Sequence, residues 1–478
     1  MKKIKILILI SAIFMMGGFF SAPTFAYQEG ERDTSFNIWS AFNGAVNALV
    51  IQSDGKIIAG GNFTTYSWVS SNYIIRLNSD WLQDTGFNMW SAFNGAIYSL
   101  AIQSGGKILV GGSFTSYNWS SANRIIRLNA DWTIDNTFNM WAWFDNIITA
   151  LAIQSDGKII VGGDFTSYNW SLVNRIVRLD SGWNIDNTFN IWAWCDFPVN
   201  VFAIQGDGKI IVGWDFTSYN WSPVDKIVRL DSGWSIDNTF TIWTGIDYPI
   251  YNLVLQSDGK IIAGGGFTSY NWSLVNRIAR LDSSWNIDTS FNIWDGFDGV
   301  VIGTTLQNNG KIIAVGKFST YNWSGTRRIA RLNSDWSIDT GFNVWNGFNR
   351  NAFVLAIQSD GKIVVGWYFT TYSWASAPYI IRLNGTEVVS SSILSYIIWW
   401  PERTNVALQN YEYWASRKSF ITIWNSYTFV LNFINNLWRT ATSQDALDTP
   451  FHFKYRDWVI GSGGTGTATY KVKFFNAP

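Results

Sequence analysis

The stretch Gln52-Ser53-Asp54-Gly55-Lys56, followed by the apolar run Ile57 to Ala59 and by Gly60-Gly61, constrains this chain more than any other. It reads as a strand end, a tight Asp-Gly turn and a returning strand, a β-hairpin. The hairpin recurs with its glutamine at Gln103, Gln154, Gln205, Gln256, Gln307 and Gln358, a 51-residue spacing without an insertion or deletion. A fixed period of this length specifies a repeat array, in which each unit buries its apolar face against its neighbours.

The first repeat sets the pattern for all seven. Val46 to Gln52 is an apolar strand, and Lys56 to Phe63 returns from the turn. Thr64 to Asn72 is a polar loop, Tyr73 to Asn78 ("YIIRLN") a third strand, and Leu82 to Asn88 a shorter fourth. Four short strands per repeat, seven times over, predict an all-β, seven-bladed β-propeller. A β-solenoid is the alternative, but its turns are shorter and do not need two hairpins each. The "DxxF" element at Asp84, Asp135, Asp186, Asp237, Asp288 and Asp339 also occurs at Asp33, before the first hairpin, and is missing after the last "RLN" at Arg382 to Asn384. The N-terminal segment is therefore expected to supply the outer strand of the seventh blade and close the ring.

The ends differ from the repeats. Residues 1–26 read as a secretory signal peptide: Lys2, Lys3 and Lys5 precede an apolar core from Ile6 to Phe20, with cleavage expected after Ala26. Residues 27–389 form the propeller. Residues 390–478 read as a small β-sandwich-like domain, possessing the segments 405–413, 419–423, 427–434, 451–455 and 469–475, and as a piece of a longer surface protein.

Composition narrows the chemistry. Charged residues make up 14% and the formal net charge is zero, so no basic stripe for nucleic acid is expected. Cys195 and His452 are the only residues of their kinds, which argues against a disulfide, a cysteine cluster and a histidine-based site. No cofactor, metal or catalytic residue is expected, nor a membrane span once the signal is removed.

The 30 tryptophans are anomalous. They fill three columns of the repeat, beginning at Trp39, Trp68 and Trp81, all in expected turns and loops. At the second glycine of the "VGG" run, Gly61, Gly112, Gly163, Gly265 and Gly316 align with Trp214 and Trp367. In the linker, Gly245, Gly296 and Gly347 align with Trp143 and Trp194. A position that takes the smallest residue in one blade and the largest in the next makes no sense in packed interiors, which respond to one methylene. If roughly 20 such turn positions need φ > 0, at about 1–2 kcal/mol each for a residue with a Cβ, the total exceeds the roughly 5–15 kcal/mol stability of a domain. These tryptophans are therefore expected to be glycines in the natural protein, with UGA codons read as glycine by the cell and written here as tryptophan.

With glycine restored, Ala152 to Asn190 becomes "AIQSDGKIIVGGDFTSYNGSLVNRIVRLDSGGNIDNTFN". This resembles the delta-60 repeat β-propeller family, whose units share "Q-x-DGK", a hydrophobic run with "GG-x-F", then "R-x-x-R-L-N-x-DG" and "D-x-x-F". The resemblance covers residues 33 to about 386. It departs at the tryptophan columns and at Ile313 to Phe318, where the glycine pair is shifted. It implies a propeller in extracytoplasmic bacterial proteins and no catalytic residues.

Candidate sites each have a plainer alternative. The "SDGK" turns carry one Asp each, with Gly105 in its place in the second copy, too few oxygens for calcium. The arginine column from Arg76 to Arg382 could bind anionic glycans, but charge balance favours pairing with the "DxxF" aspartates. The "NWS" triplets from Asn118 to Asn322 fit a glycosylation sequon and read as turns. The expected function is an exported, non-enzymatic interaction or scaffolding protein at the cell surface, with an unknown protein or glycan partner. The alternative is a carbohydrate-binding propeller lectin using a ring of indoles. The most divergent linkers, Trp194 to Asn200 and Gly245 to Tyr251, are the expected binding loops.

Overall fold

The computed structural model describes residues 28–34, 42–86, 93–137, 143–186, 188, 195–237, 239, 245–290 and 296–385, and four strands beyond them. In the first repeat β1 (Val46–Ile51), β2 (Ile57–Gly61) and β5 (Ile74–Leu77) form an antiparallel sheet in the order β1-β2-β5. The connection between β2 and β5 carries a small hairpin of β3 (Thr65–Tyr66) and β4 (Val69–Ser70). The six other repeats have the same elements. Every residue of β2 is buried, because a sheet covered on both faces takes an apolar run rather than an alternating one.

Two expectations need correction. The polar loop at 64–72 contains the β3–β4 hairpin, whose length of two residues per strand leaves no periodicity to read. The fourth strand shrinks to one bridge, Leu77 to Gln83, followed by the Asp84 N–H donating to the Arg76 carbonyl at 3.0 Å. Ring closure takes the expected form: Arg32 bridges Leu383 and the Asp33 N–H donates to the Arg382 carbonyl at 2.9 Å. The innermost strand of each blade touches that of the next, and β1 touches the seventh, Ala352–Ile357.

The paired glycines ending β2 have different duties. A Cβ on Gly60 would come within 2.6 Å of the Ile97 side chain of the next blade, so this glycine seats the neighbour. A Cβ on Gly61 would lie 2.0 Å from the Ala45 carbonyl oxygen of its own sheet.

Tyr27–Val388 form one compact unit, and residues from Val389 onward fall outside it. There Ala407–Tyr413 pairs with Ser419–Trp424, and Val459–Ser462 with Ala468–Lys471, both antiparallel. The expected segments 427–434 and 451–455 and the expected signal at 1–26 lie outside the described residues. Among the described residues no helix is long and apolar enough to cross a membrane.

Candidate functional site

The charged column is a structural device. In each blade the arginine Nε lies 2.6–2.8 Å from the "DxxF" carboxylate, as in Arg76–Asp84, Arg178–Asp186 and Arg382–Asp33. The same carboxylate takes the lysine after the Asp-Gly turn, Lys56 Nζ at 2.9 Å. The other arm crosses to the next blade: Arg76 donates to the Ala130 carbonyl at 2.9 Å and Arg178 to the Ser232 carbonyl at 2.8 Å. Burial is the largest single influence on Asp84 and pushes its pKa up. Hydrogen bonds from Lys56 and the Gly86 N–H, with the Arg76 charge, outweigh burial and hold it below the usual carboxylate value. Asp135, Asp186, Asp237, Asp288 and Asp339 shift in the same direction. The arginines thus rivet blades together.

The turns explain the tryptophan columns. Between β3 and β4 the two central residues are Ser67 and Trp68, at φ 49° and 68°. In the next blade they are Asn118 and Trp119, at 48° and 67°. Two successive positive φ values make a type I′ turn, whose preferred sequence is Asn-Gly. The "NWS" triplets therefore sit at hairpin tips, and the indoles of this column are 80–96% exposed. The third column repeats the opening hairpin's turn. The Gly55 N–H donates to the Gln52 carbonyl, and the Trp81 N–H to the Asn78 carbonyl, both at 2.9 Å. Gly55 has φ 82° and Trp81 has φ 69°, so Ser53-Asp54-Gly55 and Ser79-Asp80-Trp81 are one turn with two third residues.

The third column is not exposed, contrary to expectation. Trp81 and its counterparts are 1–3% exposed, and the preceding blade's arginine lies over each ring, Arg76 at 5.6 Å from the Trp132 centroid. The arginine in that cover comes from the adjacent repeat, which spacing within one repeat cannot reveal. At the last junction this position belongs to the N-terminal segment, where it is Gly30, at φ 84°. There Tyr372 donates to the Gly30 carbonyl, as Tyr66 does to Trp81. Arg331, with no indole beneath it, lies over Phe342 at 4.7 Å and pairs with Glu29.

The two ends of the blades differ in character. The end with the Asp-Gly turns is nearly invariant and holds a cleft of about 390 Å³ between the third and fourth blades, lined by Gln154, Lys158, Arg178 and Ser232. The other end, where inner strands begin, is where the repeats diverge. The β1–β2 register shifts between Val46 and Ala48, a bulge at Asn47, and the bulge recurs in all seven blades. Bulges re-aim a side chain at the rim of a sheet. The bulged residues are Asn47, Tyr98, Thr149, Asn200, Tyr251, Ile302 and Phe353, chemically unlike in an otherwise uniform array. Beside them the position of Gly44 becomes Phe197, Tyr248 and Arg350, and that of Asn62 becomes Asp215, Lys317 and Tyr368. Phe197, Tyr248 and Tyr368 are the exposed aromatics other than tryptophan among the described residues, at 51%, 59% and 48%. The expected loops at 195–200 and 245–251 belong to this rim. The bulge column and Arg350 went unread in the sequence, although divergence within a uniform column was their signal.

Cys195 is a packing residue of this end: it is buried, bridges Tyr219 and occupies the position of Phe42, with its thiol pKa pushed well up by burial.

No curated protein matches the chain. The WD40 β-propeller domain of Doa1 is similar in structure, with TM-score 0.48 and 13% identity over 76% of this chain and 99% of that one. Virginiamycin B lyase from Staphylococcus aureus gives 0.44 and 13%, over 72% and 96%. A gluconolactonase from Xanthomonas campestris gives 0.35 and 11%, over 76% and 98%. A family described as "Domain of unknown function (DUF5122) beta-propeller" matches residues 52–87, 103–138, 154–189, 205–240, 256–291, 307–342 and 358–385, one segment per blade. The chain belongs to this β-propeller family.

Proposed function

We propose that the protein is an exported, non-enzymatic interaction module that binds at the bulged rim. The observation that carries this reading is the divergence of the rim within seven otherwise uniform blades. A fold repeated seven times needs the same residues in every copy, so positions where copies differ are free to serve a ligand. The Lys2–Phe20 leader supports export to the cell surface. The test exchanges Trp194 to Asn200 and Gly245 to Tyr251 for the first-blade linker and compares the two proteins on glycan and peptide arrays. Loss of the signals of the unaltered protein is expected, and an unchanged array would dismiss these two linkers as the part of the rim that binds.

The same reading includes glycine at the tryptophan positions, as in the delta-60 repeat pattern. All seven members of the second column and all six of the third have left-handed φ. At about 1–2 kcal/mol each, the seven exposed ones of the second column, which no packing compensates, cost about 7–14 kcal/mol, as much as a domain's roughly 5–15 kcal/mol stability. The Gly61 column adds a steric argument: a Cβ there would come within 2.0–2.4 Å of a carbonyl oxygen in five blades, yet two blades have Trp214 and Trp367. The mass of the protein from its own cells tests this, with glycine expected. UGG codons at these columns would end the idea. If the indoles are retained, the exposed Trp68 column favours the lectin reading, because sugar rings stack on open aromatic faces.

A further inference from the structure

We infer that the rim of the sixth and seventh blades binds an acidic polysaccharide, a chain of sugar rings bearing carboxylates. The inference rests on the rim being the binding face and uses no tryptophan. Lys317, Arg327, Arg328 and Arg350 meet there. The Arg328 N–H donates to the Phe318 carbonyl at 2.9 Å, which places Lys317 beside it. The Arg328 guanidinium donates to the Phe348 carbonyl at 2.8 Å, two residues before Arg350. The Arg327 Cβ lies 2.8 Å from where a Cβ on Gly347 would be, so it lines the same linker. Lys317, Arg327 and Arg350 are exposed, and Arg328 is half-buried.

These cations differ from the rest of the molecule in their partners. The lysine and arginine columns of the blade interior are paired with aspartates. Among the described residues none of these four forms an ion pair. Asp298, next to Gly299, where a Cβ would lie 2.0 Å from the Lys317 carbonyl, is occupied in accepting the Ser319 and Thr320 N–H groups at 2.7 and 2.9 Å. Other sectors of the rim hold an acid where this one holds Lys317: the matching residues in the third and fourth blades are Asp164 and Asp215. The sector therefore has surplus positive charge, and guanidinium groups match carboxylates in shape as well as in charge.

The form of the surface selects the polymer. The cations are spread over strand ends and a linker, and the 390 Å³ cleft is at the opposite end. A protein partner draws its affinity from apolar anchors seated in pockets. Here the aromatic element is Tyr368, 48% exposed with Arg350 over one face of its ring at 5.3 Å. Spaced cations beside a half-exposed ring suit a string of carboxylated sugars.

The test measures binding of the full chain, with the residues its native mass establishes, to polygalacturonate and to poly-L-glutamate at low and high salt. The variant Lys317→Gln/Arg327→Gln/Arg350→Gln leaves Arg328 and its carbonyl bond in place, and Arg350→Gln alone guards against a folding failure. Lys158→Gln is the control at the opposite end. Polygalacturonate binding that weakens with salt, falls about tenfold or more in the triple variant, and persists in the control is expected. Binding of poly-L-glutamate alone, lost in the triple variant, overturns the sugar and leaves the rim standing. Polygalacturonate binding that survives the triple variant, or binding of neither polymer, overturns the inference, and the linker exchange then decides the rim separately.

Discussion

At the scale of the residue, the buried pair of arginine and aspartate is the unit on which each blade junction depends. Asp186→Ala leaves Arg178 buried without its counter-charge and is expected to cost about 3–5 kcal/mol in a denaturant titration. Replacing both, as Arg178→Met with Asp186→Leu, is expected to cost less, because no buried charge is stranded: Lys158, the carboxylate's other partner, is partly exposed and keeps Asp156 at 3.4 Å. The carboxylates also set the acid limit. Their folded pKa values lie below the usual 3.8, so their contribution is complete above that value and is lost as pH falls through the folded one. The thermal midpoint is expected to hold steady down to about pH 4 and to fall below it. A midpoint that fell already between pH 7 and 5 would contradict this account.

At the scale of the element, the turns separate two effects that a tryptophan combines. Trp68→Gly relieves a left-handed backbone and removes an exposed ring, so a gain of about 1–2 kcal/mol is expected. Trp81→Gly relieves the same strain but empties a packed site, a loss of about 3–5 kcal/mol for a buried aromatic, so this protein is expected to be destabilised. Gly61→Ala meets the Ala45 carbonyl at 2.0 Å and is expected to cost about 1–3 kcal/mol or more. Urea midpoints of the three variants check all of these. The elements are also where legibility in the sequence varied. The hairpin of β1 and β2 was readable because Asp-Gly and a run of buried residues are local signals. The hairpin of β3 and β4 was hidden because its strands are two residues long, so that its tip, Ser67-Trp68, was legible only as a turn within a loop. The rim was only half readable: its divergent linkers stood out, whereas the bulge at Asn47 depends on cross-strand register, which no single segment records.

At the scale of the whole molecule, the ring is held by a short N-terminal segment. Removing residues 27–34 takes away Asp33, the partner of Arg382 and Lys362, and uncovers the edge of the seventh blade. A lower thermal midpoint and concentration-dependent association in light scattering are expected, since a bare strand edge recruits other chains. A monomer of unchanged stability would show that blade-to-blade contacts suffice. The latch has a second consequence, in time rather than in space. Asp33 and Arg382 are 349 positions apart, so a segment made before the first blade pairs with nearly the last of the repeats. Each blade can assemble on its predecessor as it emerges, but the circle cannot be completed until the seventh is made. An incomplete ring therefore has two open edges until the seventh blade is made, and its final step of folding is the meeting of its oldest and newest strands.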